Sequence, residues 1–211
     1  QADTPELLDG PGDTYQASGL AWRRHYNHPA SEYGLHAEEV FGACAAAALY
    51  RREDFLAVGG FDETYFAYFE DVDLSFRLRL AGGRCLYVSD AVVHHVGSAS
   101  TGKTSDFAYY HVHRNMVWTY FKNMPALLFW WFLSLHVLIN TYLTLSFLIK
   151  EKRWIVLKAK WDALCGLPAV LRARQKVQAA RKVAWRDLYR AMEKDLFAPR
   201  RASHTRIQKQ P

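Results

Sequence analysis

The chain has 211 residues, half of them apolar, 15% aromatic and 23% charged, with a formal net charge of +6. These proportions exclude a disordered tail, a collagen-like chain and a many-span membrane protein, and the length suffices for a sizeable core. The first residue is Gln1, and the polar stretch from Gln1 to Gly12 holds no apolar signal-peptide core, which leaves open a piece of a longer protein. Charge is unevenly spread: residues 1–149 carry 10 Lys and Arg against 16 Asp and Glu, a net −6, whereas residues 150–211 carry 17 against 5, a net +12. A tail this basic suits anionic head groups or nucleic acid, or is simply a solvated helix face. The cysteines, Cys44, Cys85 and Cys165, are too few and too far apart for a disulfide framework or a zinc site. They fit a reducing, cytoplasmic compartment as small buried hydrophobes.

In chain order, Gln1 to Ser31 is rich in Gly, Pro and Asp and is predicted as loop. The small apolar run from Val40 to Tyr50 predicts a buried strand ending at the charged turn Arg51–Asp54. A short helix over Phe55–Val58 is then broken by Gly59-Gly60. Phe61 to Phe69 is aromatic and reads as loop or short helix. From Asp71 the apolar positions are ambiguous between alternation and a helix buried on more than one side. Helix is preferred: Glu70, Asp71 and Asp73 cluster at its start, Arg77 and Arg79 follow, and Gly82-Gly83 supplies a C-cap. Arg84 to Val96 reads as two short strands around a Ser89-Asp90 turn. Ser105 to Lys122 reads as helix.

Asn123 to Ile149 is then uncharged for 27 residues, longer than the roughly 20 that span a bilayer. Ser134, His136, Asn140, Thr141, Thr144 and Ser146 interrupt it, and a single span would place the acidic part and the basic tail on opposite sides. A helix lying in the interface, or a re-entrant one, is therefore expected, with a buried helix of a soluble core as the alternative. Lys150 to Lys194 is helical in composition with a break near Gly166 and Pro168, Trp154, Trp161, Trp185 and Tyr189 sit at spacings that suit helix packing, and beyond Phe197 a disordered tail is expected.

Two features carry chemistry. Gly97–Thr104 reads GSASTGKT, which matches the phosphate-cradling loop of nucleotide triphosphatases and predicts ATP binding through Lys103. That reading needs a later apolar strand ending in a carboxylate, and only helical and basic sequence follows. The second feature combines Glu70, Asp71 and Asp73 with the pair His94-His95. A helix dipole alone would explain the acids, and adjacent histidines are commonly one packed and one exposed. The surround is more pointed: Gly59, Gly60, Phe61, Asp62, Glu63, then Tyr65, Phe66, Tyr68 and Phe69. Aromatic faces beside carboxylates suit sugars, which stack on the ring and donate hydroxyl protons to the acid.

The run GACAAAALYRREDFLAVGGFDETYFAYFEDVDLSFRLRLAGGRCLYVSDAVVHHVGSAS resembles the second half of the catalytic domain of bacterial family 2 glycosyltransferases of the rhamnosyltransferase-like group. His113-Arg114-Asn115 and Lys122-Asn123-Met124-Pro125 resemble segments that follow in that group, so the likeness extends over roughly residues 10–190. The resemblance implies an α/β fold, the C-terminal part of a GT-A (Rossmann-like) domain, followed by an α-helical, membrane-associating region. Three segments are expected: 1–122 as the acceptor-side half, 123–150 as the hydrophobic helix and 151–211 as the basic helical tail.

The activity it implies is transfer of a sugar, with inversion, from a nucleotide-diphosphate donor to a lipid-linked or polysaccharide acceptor at the cytoplasmic face of the membrane. By the same resemblance Asp71 is the catalytic base, and Glu70, Phe69, Tyr68, Asp73 and Arg77 serve the acceptor side, with Asp73 and Arg77 holding the helix start or the loop beside it. His95, or failing it His94, ligates Mg²⁺ or Mn²⁺. The GSASTGKT loop, on its own residues, is either a flexible loop or one whose hydroxyls, Ser98, Ser100 and Thr101, face a diphosphate. The family's strand-borne Asp-x-Asp should precede this sequence, and Asp71-Val72-Asp73 opens a helix instead. The expectation is a C-terminal fragment, inactive alone. The competing class is a non-catalytic membrane-binding module; no nucleic-acid partner is expected.

Overall fold

A computed structural model describes residues 4–32, 36–96 and 105–198. It is a mixed α/β arrangement of two small antiparallel sheets and six α-helices among those residues. Strands β1 (Asp13–Tyr15) and β2 (Ala21–Arg23) form a hairpin with Asp13 opposite Arg23, and β3 (Glu38–Val40) pairs with β4 (Cys85–Tyr87). The helices are α1 (Arg52–Ala57), α2 (Glu70–Leu80), α3 (Asp106–Asn123), α4 (Ala126–Glu151), α5 (Ile155–Ala179) and α6 (Trp185–Ala191).

α2 and α3 form where the sequence predicts them. Gly82 at φ +96° ends α2, and the Ser105 hydroxyl caps α3 by accepting from the Ala108 amide at 3.2 Å. Six expectations are corrected. The N-terminal stretch is not all loop: strands of three residues carry too little pattern to be seen, and β1 is held by the distant Gly42, whose carbonyl accepts from the Asp13 amide at 2.8 Å. The buried strand over Val40–Tyr50 is only its first residue. Ala45–Ala47 make a 3₁₀ turn and Leu49 is fully exposed. α1 begins at Arg52, inside the charged turn, and Ala91–Val96 form no second strand. The cysteines are free as expected, but Cys165 is exposed and the other two are half-buried.

α5 also runs unbroken through Gly166 and Pro168. A proline inside a helix costs about 3 kcal/mol and leaves one carbonyl without its amide. α5 is held there by packing on α3: the Trp118 indole donates to the Ala163 carbonyl at 3.0 Å and fills the space where Gly166 lacks a side chain. A Cβ at Gly166 would lie 2.5 Å from the Trp118 ring.

The core joins the hairpin to the helices. Tyr15, Phe41 and Phe76 meet with ring centroids 4.9–5.5 Å apart, and Leu80, Tyr120, Met124, Leu128, Leu188 and Met192 continue the cluster. α4 lies against this body along its length. His136 Nδ1 is 2.7 Å from the Ser18 carbonyl and its ring stacks on Tyr120, while Phe147 meets Tyr109 and His113. Replacing Gly166 by Val should destabilise the fold by about 1–3 kcal/mol through overpacking against Trp118. Urea denaturation checks this, and an unchanged midpoint would contradict the close α3–α5 contact.

Candidate active site

The site is built on the aromatic loop between Gly59 and α2. Gly59 and Gly60 take positive φ, +85° and +65°, which turns the chain sharply after α1. Asp62 then caps a 3₁₀ turn at Glu63–Tyr65, its carboxylate accepting from the Thr64 amide at 3.0 Å and hydroxyl at 2.6 Å. Phe66, Tyr68 and Phe69 follow with φ of +64°, +61° and +70°. Non-glycine residues there cost on the order of 1–3 kcal/mol each, so something must hold them. α3 does. The Asn115 side-chain amide, wholly buried, donates to the carbonyls of Tyr65, Ala67 and Tyr68 at 3.1, 2.9 and 2.7 Å. Arg114 adds bonds to Thr64 and Tyr65 at 3.1 and 3.0 Å. The Arg-Asn pair singled out in the sequence is thus the clamp on the loop.

Below the loop sits Asp73, which is excluded from solvent. Its carboxylate receives Arg77 Nε at 2.8 Å, Lys122 Nζ at 2.9 Å, Asn123 Nδ2 at 2.7 Å and the Tyr65 hydroxyl at 3.2 Å. Lys122 also reaches Asp62 at 2.6 Å, and Arg77 donates to the Val58 carbonyl at 2.6 Å. Burial pushes the Asp62 carboxyl up, but hydrogen bonds from Lys122 and Thr64 outweigh it and hold it below the ordinary value. Asp73 and Arg77, expected on the acceptor side, have no surface to offer an acceptor. They brace the helix start and the loop.

This leaves Glu70 and Asp71 presented at the first turn of α2. Asp71 forms no ion pair among the described residues. Its oxygens accept from the Val72 amide at 2.8 Å and the Ala45 amide at 3.2 Å. Glu70, with Ala45, Phe61, Asp62, Glu63 and Phe66, lines an open cavity of about 450 Å³. One Glu70 oxygen is buried without a hydrogen-bond partner, and burial, then the neighbouring Asp71, raises its pKa. Asp71 does not line that cavity but adjoins it through Ala45. The Phe66 ring is exposed and stacks on His111, with Phe107 beside it; Tyr68 and Phe69 are half-buried.

Three residues that the sequence did not single out surround Asp71. Asp13 is only 7% exposed and accepts no side-chain hydrogen bond among the described residues. Burial, then Asp71, pushes its pKa up to about 8. The Tyr50 hydroxyl is also buried and unpartnered, and burial, then Asp71, raises its pKa. Arg23, opposite Asp13, pairs with Asp9 at 2.6 Å. His95 joins the group through the same carboxylate, with Nδ1 2.6 Å from Asp9, while His94 is exposed. Buried polar groups normally find partners, and the Glu70 oxygen and the Tyr50 hydroxyl near Asp71 are two that have none among the described residues.

The metal expectation fares differently. Among the described residues no three His, Cys, Asp or Glu side chains converge as a divalent ion needs. His95 spends Nδ1 on Asp9, so the described residues do not by themselves fit Mg²⁺ or Mn²⁺, and no chemical step below passes through one. Ser98, Ser100 and Thr101, and with them the GSASTGKT loop and Lys103, lie outside the described residues.

Lys122→Met should cost about 3–5 kcal/mol in urea denaturation, because it strips compensation from two carboxylates, one of them fully buried; a loss under about 1 kcal/mol would make the bridge no stronger than a surface pair. Asp13 gives a pH signature. Its folded pKa lies above the unfolded value, so the native state binds the extra proton. Its contribution is fully present below the ordinary Asp value and is lost as pH rises through the folded one. Asp13→Asn should therefore flatten the fall of stability between pH 5 and pH 8, measured by guanidinium denaturation. Parallel profiles for the two proteins would contradict a buried, protonated Asp13.

Comparison with known proteins adds a short, specific likeness. The chain is 52% identical over 62 residues to N-acetylglucosaminyl-diphospho-decaprenol L-rhamnosyltransferase of two Mycobacterium tuberculosis strains, covering 29% of this chain and 19% of that protein. It is 47% identical over 55 residues to rhamnosyltransferase WbbL of Escherichia coli K12, covering 26% of this chain and 21% of that one. The matched segment is about a fifth of the length of these relatives. No family model matches, and no solved structure does. What the likeness supports is a glycosyltransferase, through a segment rather than a whole chain.

Proposed function

We propose that this chain forms the acceptor side of an inverting glycosyltransferase with a GT-A-type catalytic domain, and that Asp71 is its general base. The observation that carries the reading is Asp71 itself: a carboxylate at a helix N-terminus with no ion pair among the described residues, near the unpartnered Glu70 oxygen and Tyr50 hydroxyl, the buried Asp13, and Arg23. An acceptor hydroxyl bonded there gives its proton to Asp71 while its oxygen attacks the anomeric carbon of the donor. The carbon–oxygen bond to the diphosphate breaks, the electron pair leaves with the diphosphate, and attack from the opposite face inverts the centre. One base suffices, unlike the two carboxylates of a glycosidase. Glu70, more basic than an ordinary Glu and facing the cavity, orients the acceptor, and the exposed Phe66 ring offers an apolar face for a sugar.

The relatives' names suggest the finer chemistry. Transfer of L-rhamnose from its nucleotide diphosphate to an N-acetylglucosaminyl-diphospho-polyprenol fits a site of this kind, and a lipid-linked acceptor fits a membrane-surface enzyme. α4 is the apolar element. Its most apolar stretch has a mean hydropathy of 1.7, and its outward face carries Leu127, Trp130, Trp131, Val137, Leu138, Tyr142, Leu145 and Ile149. Its inner face is packed on α3 and the hairpin from Leu128 to Phe147, so a transbilayer path would drag that polar body into lipid. An interfacial position at the cytoplasmic face avoids this.

The test is made in the protein that carries this chain, with nucleotide-activated L-rhamnose and an N-acetylglucosaminyl-diphospho-polyprenol analogue. Asp71→Asn should lower kcat by about 10²–10⁴, and Glu70→Gln should mainly raise the acceptor KM. Undiminished turnover in Asp71→Asn would end the assignment, and the opposite split would make Glu70, which faces the cavity, the base.

A further inference from the structure

The outer face of α5 is the least expected surface of the molecule. Its inner face, Val156, Ala159, Ala163 and Val170, is buried. On the other side Trp154, Leu157, Trp161, Leu164, Pro168 and Leu171 recur in steps of three and four and all stand open to solvent. Trp154 is 70% and Trp161 67% exposed, so the spacing that suits helix packing in the sequence is here a second apolar stripe, pointing outward. A soluble helix presents the reverse order.

Charge says what covers it. From Ile155 to Lys182 there is one acid, Asp162, already engaged by Lys158 at 2.6 Å and the Tyr110 hydroxyl at 2.7 Å. The stripe is flanked by exposed Arg172, Lys176, Arg181 and Lys182, with Lys158 already paired to Asp162. Two copies packed seam to seam would bring these bases together with almost no acid between them. Anionic head groups would neutralise them, while the two tryptophans take the depth they favour at a membrane interface.

We propose that the outer stripe of α5 is an in-plane docking surface for an anionic lipid bilayer, with Trp154 and Trp161 sunk to the head-group boundary and the flanking bases on lipid phosphates. This deepens the membrane partner of the proposed function by naming the element that binds, yet it needs no sugar transfer. Its failure and that of the catalytic reading are therefore separable.

The experiment uses the 211-residue chain, without donor or acceptor, and vesicles of equimolar phosphatidylglycerol and phosphatidylcholine beside vesicles of phosphatidylcholine alone. Cosedimentation should favour the anionic vesicles by about tenfold or more and weaken with salt, and tryptophan emission should shift to the blue. Trp161→Glu, and separately the paired change Arg172→Gln with Lys176→Gln, should each weaken binding several-fold while far-ultraviolet circular dichroism and the melting midpoint stay unchanged. The charge variant leaves the apolar stripe intact, so it decides the matter if Trp161→Glu folds poorly. Equal binding by the folded charge variant and the parent would overturn the proposal. So would the absence of vesicle binding together with a concentration-dependent dimer that Trp161→Glu dissolves.

Discussion

A buried carboxylate shared by four donors organises this molecule. Asp73, one turn into α2, has no water to solvate it, and an ion so placed is tolerable only when its charge is compensated and its lone pairs are filled. Arg77 and Lys122 supply the charge, and Asn123 and Tyr65 complete the shell. Because Lys122 also holds Asp62, the start of the aromatic loop, the start of α2 and the end of α3 are fixed to one point. Such a network specifies geometry more than it adds stability, since an apolar replacement of the whole set could be as stable. The same geometry positions Asp71, two residues away, which we propose as the reactive carboxylate.

The contrast between Asp73 and Asp71 is instructive because they share a motif and a helix turn. Asp73 has every oxygen satisfied and belongs to the interior. Asp71 accepts two backbone amides, forms no ion pair among the described residues, and has a Glu70 oxygen and the Tyr50 hydroxyl near it without partners. The strained backbone at Phe66, Tyr68 and Phe69 fits the same division, since an unfavourable conformation persists only where the surroundings over-determine it, here through Asn115. Asp73 thus serves as support, and the proposed chemistry falls to Asp71 two residues before it.

What the sequence revealed follows from how local each signal is. α2 was legible because its acids, bases and closing glycines lie within fourteen residues, and α3 because Ser105 caps an uninterrupted pattern. The hairpin β1–β2 was not, since its strands are three residues long and their support comes from Gly42. Pro168 misled for the reason that propensity is a weak prior against packing, and the Trp118 contact is invisible in one dimension. At the site, Glu70 and Asp71 were named at once, but Asp13, Tyr50 and Arg23 carry no motif and are assembled only when three separate segments meet. Asp73 and Arg77 were expected on the acceptor side, holding the helix start or the loop beside it, and their bonds do hold those elements while turning both side chains inward. Trp154 and Trp161 were expected to pack and instead face out, since spacing tells that residues share a face without telling which way the face points.

The two halves of the account meet in the nature of the acceptor. A substrate anchored in a bilayer reaches only enzymes that sit at its surface, and the proposed membrane-facing stripe of α5 would put the chain there. The central claim, however, concerns one oxygen of Asp71. It is tested most directly by a crystal structure of the protein with an N-acetylglucosaminyl-diphospho-polyprenol analogue bound. The account predicts the accepting sugar hydroxyl about 2.6–3.2 Å from the Asp71 carboxylate, with Glu70 on a neighbouring hydroxyl. An acceptor seated elsewhere, with Asp71 still bonded only to Ala45 and Val72, would contradict it.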